Sequence, residues 1–196
     1  MAGSGRVVAG TAGGIQLTAA GPGTRPLADR VKQAVFASLE PILAGAAVLD
    51  LCAGSGAAAI EALSRGAARA VLVERDAAAV GVIRENLRRT GLATAAVVVR
   101  RDALAALRDP SLRVDGFDLA IVDPPYAETA LRDAILALLG TADGPLREGA
   151  VVVVTAYWRE PPPDEVGLLR STRVRRFGET AITFYRRSGG GIAAAD

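Results

Sequence analysis

Two short stretches of this 196-residue chain carry residue types whose spacing could do chemistry. The first is Asp50-Leu51-Cys52-Ala53-Gly54-Ser55-Gly56, where an acid falls at the end of an apolar run and two glycines lead into an alanine-rich segment. Gly54 and Gly56 permit positive φ and let a ligand approach the main chain where a Cβ would block it. The second is Asp123-Pro124-Pro125-Tyr126, whose prolines stiffen a turn, remove backbone donors and leave carbonyl oxygens free to accept. An exocyclic amine on a heteroaromatic ring is a poor nucleophile because its lone pair is delocalised. The Asp123 carboxylate and the Pro124 carbonyl could accept both of its N–H groups and hold the nitrogen in line with an electrophilic methyl, with Tyr126 stacked on the base. Such catalysis is orientation and local electrostatics, the proton passing to Asp123 or to water.

The glycine loop by itself leaves two cofactors open. Gly54-Ser55-Gly56-Ala57-Ala58-Ala59 fits a dinucleotide fingerprint, and Glu74 ends the next apolar run, where an acid accepts from ribose hydroxyls. That reading is a nicotinamide dehydrogenase. Asp50 opposes it, because a carboxylate before the turn repels a pyrophosphate and suits a cation such as an amino-acid ammonium. S-adenosyl-L-methionine has an adenosine, an ammonium and no phosphate. Composition narrows the chemistry further: with no histidine and Cys52 as the single cysteine, internal disulfides, His-based triads and the usual metal clusters are excluded. Net charge is +2, yet Lys32 is the only lysine and the other basic residues are arginine, whose planar fork suits phosphates. No apolar run reaches the ~20 residues of a membrane span, and the first residues lack the apolar segment of a secretory signal. We therefore expect a cytoplasmic protein with neither a membrane nor a metal partner.

These residues need elements to position them. An N-terminal extension, residues 1–41, is expected to form a small hairpin about Thr11-Ala12-Gly13-Gly14, a glycine- and proline-rich loop from Ala20 to Pro26, and a helix from Asp29 to Pro41. Its polar members Thr24, Arg25, Asp29, Arg30 and Lys32 read either as a solvated helix start or as a lid touching cofactor and phosphates. From Val48 strand and helix alternate: the first apolar run ends at Asp50 and the later strands at Glu74, Val99, Val122 and Thr155, with helices over 57–65, 77–89 and 129–139 between them. This βαβ alternation predicts an α/β, Rossmann-like parallel sheet over residues 42–187, binding ligands at the carboxyl ends of its strands. Asp50, Glu74, Asp102 and Asp123 all fall there. Residues 168–177 and 181–187 have only a Gly-Glu-Thr turn between them and should pair as an antiparallel hairpin at the sheet edge, before a disordered tail, 188–196.

The chain resembles a known family, the bacterial small-subunit ribosomal RNA guanine-N2 methyltransferases named for guanine 966 of 16S rRNA. The resemblance runs from Arg6 to about Arg187 and rests on Arg6-Val7-Val8-Ala9-Gly10, Thr24-Arg25-Pro26 with Asp29-Arg30-Val31, the loop from Leu49 to Gly56, Glu61 to Ala67, Asp102-Ala103 and Asp123-Pro124-Pro125-Tyr126. It implies a seven-stranded class I methyltransferase fold, S-adenosyl-L-methionine as donor and 16S rRNA of an assembling small subunit as substrate. Asp50, Ala53, Gly54, Ser55 and Gly56 would hold the methionine end, Glu74 beside Arg75 the ribose, and Asp102 beside Ala103 the adenine amine, with Thr24 and Arg25 as further cofactor contacts. Asp123, Pro124, Pro125 and Tyr126 would take the target. Arg6, Arg25, Arg30, Lys32, Arg173 and Arg175 are the expected RNA contacts, the last two sharing one face of their strand. The chain departs from the family pattern at Cys52, Gln33, Ala37 and Thr155, where phenylalanine, glutamate, asparagine and an acid are expected. Two alternatives stand beside this reading: the same chemistry on adenine N6 in DNA or a protein glutamine amide, and a non-catalytic RNA-binding assembly factor. A monomer is expected.

Overall fold

The computed structural model describes residues 5–21, 29–113 and 115–189, so the expected contacts of Thr24 and Arg25 and nearly all of the tail lie outside the described residues. Two compact units make up the chain, one through Ala106 and one from Leu107. The first contains α1 (Asp29–Leu43), β1 (Ala47–Leu51), α2 (Ala57–Ser64), β2 (Arg69–Glu74), α3 (Ala77–Thr90), β3 (Ala96–Arg100) and the start of α4 (Ala103–Leu107). Its strands pair in parallel in the order β3-β2-β1. All five residues of β1 and the middle four of β2 are buried, as a strand covered on both faces requires, and this is why their sequences are apolar but for the buried Asp50 and the ends of β2. Helix α3 starts and stops as its ends dictate: the Asp76 side chain accepts from Ala79 N at 2.8 Å, and Gly91 closes it at φ 73°.

The N-terminal segment closes on itself as the expected small hairpin: Arg6 and Gln16 form an antiparallel bridge, Val7 N donates to Ile15 O at 3.0 Å, Gly14 N to Val7 O at 2.8 Å and Leu17 N to Gly5 O at 2.7 Å, and further hydrogen bonds tie the segment to α2. Glu61, fully buried, accepts from Val8 N at 2.7 Å, Ala9 N at 3.1 Å and Arg65 Nε at 2.7 Å. Thr11 N donates to Ser64 O at 2.8 Å, and a Cβ on Gly10 would sit 1.8 Å from that same oxygen, so only glycine allows the approach. Lys32 is a correction. Expected at the RNA surface, it is 2% exposed, lies 3.9 Å from Glu61 and donates to the Arg6 carbonyl; burial lowers its pKa against the pull of Glu61. Helix α1 also runs past Pro41 to Leu43, since Leu39 and Leu43 are both buried and their packing holds the last turn.

The second unit holds β4 (Phe117–Val122), α5 (Thr129–Leu139), β5 (Leu146–Tyr157), β6 (Glu165–Val166), β7 (Leu169–Phe177) and β8 (Thr180–Arg187). The strand order is β4-β5-β8-β7-β6, with β4 and β5 parallel and every later pairing antiparallel. Among the described residues eight strands are therefore present against the seven expected. The addition is β6, whose two residues pair with Leu169 and Arg170, so the β7–β8 hairpin is not wholly the edge. Strand β5 outruns its expected span at both ends, and Val151 through Tyr157 pair with β8. Tyr185 donates its hydroxyl to Pro163 O at 2.6 Å, which pins the triple-proline loop to the hairpin. Among the described residues no helix is long and apolar enough to cross a membrane.

Candidate active site

In the first unit three acids reach the carboxyl ends of adjacent strands. Asp50 lies within β1, Glu74 ends β2, and Asp102 follows β3 by two residues. Parallel pairing in register, Leu51 with Val73 and Glu74 with Arg100, aligns those ends. The loop between β1 and α2 is drawn tight by Gly56 N donating to Ala53 O at 2.7 Å and Ala53 N to Val73 O at 3.0 Å. Cys52, where the family pattern expects phenylalanine, adopts a left-handed φ of 64°, a strain of about 1–3 kcal/mol that the flanking bonds hold in place. Glu74 is tied to this loop: Oε2 accepts from Gly54 N at 2.8 Å and Oε1 from Asp76 N at 2.9 Å. A carboxylate has about four lone-pair sites, so acceptor capacity remains.

Asp50, 2% exposed, accepts from Ala59 N at 3.1 Å and so lies at the first turn of α2. That is where a dinucleotide fold places its pyrophosphate. Asp102 caps α4 through one oxygen, Oδ1 accepting from Leu104 N at 3.0 Å and Ala105 N at 3.2 Å, and Oδ2 has no donor among the described residues. Sequence reading missed Asn86 of α3. Fully buried, it donates to Ser55 O at 3.0 Å and Thr18 O at 2.9 Å and accepts from Thr18 N at 2.8 Å, joining the glycine loop to the N-terminal segment. Its only signal was a polar residue on the apolar stripe of an amphipathic helix.

In the second unit Asp123 follows β4 directly. Its Oδ1 accepts from the hydroxyl of Thr155 on β5, a buried residue that sequence reading noted only as a departure from the family pattern. Burial raises the Asp123 pKa above its ordinary value, and the Thr155 hydroxyl lowers it part of the way back. Pro125 O accepts from Glu128 N at 2.8 Å, whereas Pro124 O and Asp123 Oδ2 have no donor among the described residues. Two acceptors on consecutive residues are thus left to a ligand. Tyr126, 39% exposed, exchanges a 2.6 Å hydrogen bond with Thr180 at the start of β8, which fixes the tip of the ring.

The expected RNA contacts divide. Arg6 is exposed and ion-paired to Asp29 at 2.9 Å, and Arg30 is exposed. Arg173 is exposed and Arg175 half-buried on β7, while Lys32 is withdrawn into the core of its unit. No cluster of three or more potential metal ligands exists among the described residues.

The sequence profile of the family described as conserved hypothetical protein 95 matches residues 5–186. YlbH of Bacillus subtilis (strain 168), provisionally named an rRNA methyltransferase, is 38% identical over 94% of this chain and 100% of its own. The ribosomal RNA small subunit methyltransferase D of Escherichia coli (strain K12) is 34% identical over 89% of this chain and 85% of its own. Among solved structures, yhhF of Escherichia coli, provisionally named a methyltransferase, superposes with a TM-score of 0.81 at 31% identity, covering 95% of this chain and 99% of that one.

Proposed function

The chain belongs to the family described as conserved hypothetical protein 95, and from that premise we propose that it methylates the exocyclic N2 of a guanine in 16S rRNA during small-subunit assembly. The observation that carries the reading is the pair of acceptors with no donor among the described residues, Asp123 Oδ2 and Pro124 O, against the two N–H groups of one amine. S-adenosyl-L-methionine supplies the methyl group, carried on a sulfonium. The residues fit that cofactor and not a dinucleotide: Asp50 lies at the first turn of α2, Asp102 Oδ2 can accept an adenine amine, and Glu74 has capacity for ribose hydroxyls. A Cβ placed on Gly54 would meet nothing within 4 Å, so that side of the loop is open backbone. Asp123 and Pro124 fix the plane of the target amine and with it the direction of the nitrogen lone pair. Tyr126 stacks on the base. Asp123, with its raised proton affinity, takes the proton that the nitrogen sheds when it gains the methyl.

The enzyme acts as a monomer in the cytoplasm, and Thr24, Arg25, Arg6 and Arg30 flank cofactor and RNA. The experiment is transfer of a tritiated methyl group into unmodified small subunits, naked 16S rRNA, DNA and protein, followed by mapping of the labelled nucleotide. Label at guanine N2 of rRNA is expected. Asp123→Ala should sharply lower turnover with nearly unchanged cofactor affinity. Label confined to DNA or protein, or wild-type turnover in the variant, defeats the assignment.

A further inference from the structure

Past the end of β5 the chain places its only tryptophan, Trp158, under two guanidinium groups. Arg176 Cζ lies 3.6 Å and Arg159 Cζ 4.9 Å from the indole centroid. Both arginines are exposed, and neither has a carboxylate partner among the described residues. Arg170, at the other end of β7 from Arg176, is different, being paired to Glu165 at 3.1 Å. Two cations held over one ring without an acid repel each other and favour an incoming anion. Arg176 is also fixed from behind, its Nε donating to Gly178 O at 2.8 Å, so its plane is set before any ligand arrives.

The β7–β8 turn links this stack to the reactive motif. Trp158 N donates to Glu179 O at 3.0 Å, and the next residue, Thr180, holds the Tyr126 hydroxyl. The anchors of the stack and of the base-stacking tyrosine are therefore three consecutive residues, 178–180. We propose that Trp158, Arg159 and Arg176 form a second nucleotide subsite, in which an unpaired ribonucleotide adjoining the methylated guanine stacks on the Arg176 guanidinium while Arg159 takes its phosphate. This rests on the proposed RNA substrate. Guanidinium planes and aromatic rings are the surfaces on which single-stranded RNA bases stack, and the stack needs no particular base.

Because Trp158 is the only indole, its fluorescence reports this subsite alone. The full chain is titrated with a single-stranded hexaribonucleotide carrying one guanine among adenines, and separately with inorganic phosphate. Saturable quenching by the RNA and none by phosphate is expected. By anisotropy of the labelled hexamer, Arg176→Ala should weaken binding about five- to 150-fold, the range spanned by stacking one base. Arg176→Lys, which keeps charge without the plane, should recover little of it, and Trp158→Phe, which keeps a ring, should stay within a few-fold of wild type. On unmodified small subunits Arg176→Ala should raise KM for RNA with kcat and cofactor affinity unchanged. Absent quenching, equal quenching by phosphate, or wild-type affinity in Arg176→Ala at an unchanged Tm overturns the subsite. Quenching without methylation of the subunits overturns the proposed reaction and leaves the subsite standing; methylation without quenching does the reverse.

Discussion

A carboxylate that must hold an amine and then take its proton benefits from a proton affinity above that of a surface acid. Asp123 has it because burial outweighs its one neutral donor, Thr155. Thr155→Val removes the hydroxyl that lowers the pKa, so the pKa should rise further and the acid limb of the kcat/KM profile should move to higher pH. Thr155→Ser should restore the limb, and turnover well above it should stay near wild type. A limb that does not move assigns the proton elsewhere. Glu74 tests the cofactor at the same scale. Glu74→Ala removes the acceptor offered to ribose together with the bonds to Gly54 N and Asp76 N, and binding of S-adenosyl-L-methionine should weaken by about 1.5–3 kcal/mol or somewhat more. Calorimetry should show no tight NAD binding to the wild type, since Asp50 lies where a pyrophosphate would. Tight NAD binding, or an unchanged affinity in the variant, contradicts the assignment.

Elements whose sequence pattern is local were legible, and those set by distant partners were not. β1, β2 and β4 are mainly apolar and lead to the acids Asp50, Glu74 and Asp123, the middle of β5 is apolar up to Thr155, and the caps of α3 are Asp76 and Gly91, so strand ends and helix bounds followed from neighbouring residues. The 15-residue α1 reads equally as an amphipathic helix, but nothing in its own sequence says that Lys32 turns inward. Its partner Glu61 is on α2, and only the tertiary fold brings an acid there. The same holds for Thr155 beside Asp123, Thr180 beside Tyr126, and a two-residue β6 too short for any periodicity to show. Glu61 has the largest consequence. Glu61→Ala would leave the buried Lys32 with only the half-exposed Asp29, 4.0 Å away, as its acid and two backbone N–H groups without acceptors, a loss of about 3–5 kcal/mol. Denaturant unfolding should read that loss as a lower midpoint, and adding Lys32→Met should recover part of it. A loss under about 1 kcal/mol means that the segment is held by its apolar packing alone.

For the whole molecule a net charge of +2 is too small to grip RNA as a uniform field, so affinity must come from where the arginines are left uncompensated. The structure thins the six arginines of the terminal hairpin. Arg187 is buried on the carbonyls of Thr141 and Ala142, Arg186 donates to Gly149 O, and Arg170 is paired with Glu165. Arg173, Arg175 and Arg176 remain, all on β7, with Val174 exposed between the first two. Beyond its pairing with β6, this strand presents an open edge, and charge there also protects against edge-to-edge association. The two roles separate by ionic strength. Each phosphate neutralised by an arginine releases counterions, so the slope of log affinity for RNA against log salt should flatten by about two units or somewhat less in Arg173→Ala/Arg175→Ala. Edge protection alone leaves that slope unchanged and makes the variant associate with itself, which sedimentation across the same salt series would detect. An unchanged slope with methylation intact would restrict the RNA grip on this unit to Arg176 and Arg159, beside the motif that holds the base.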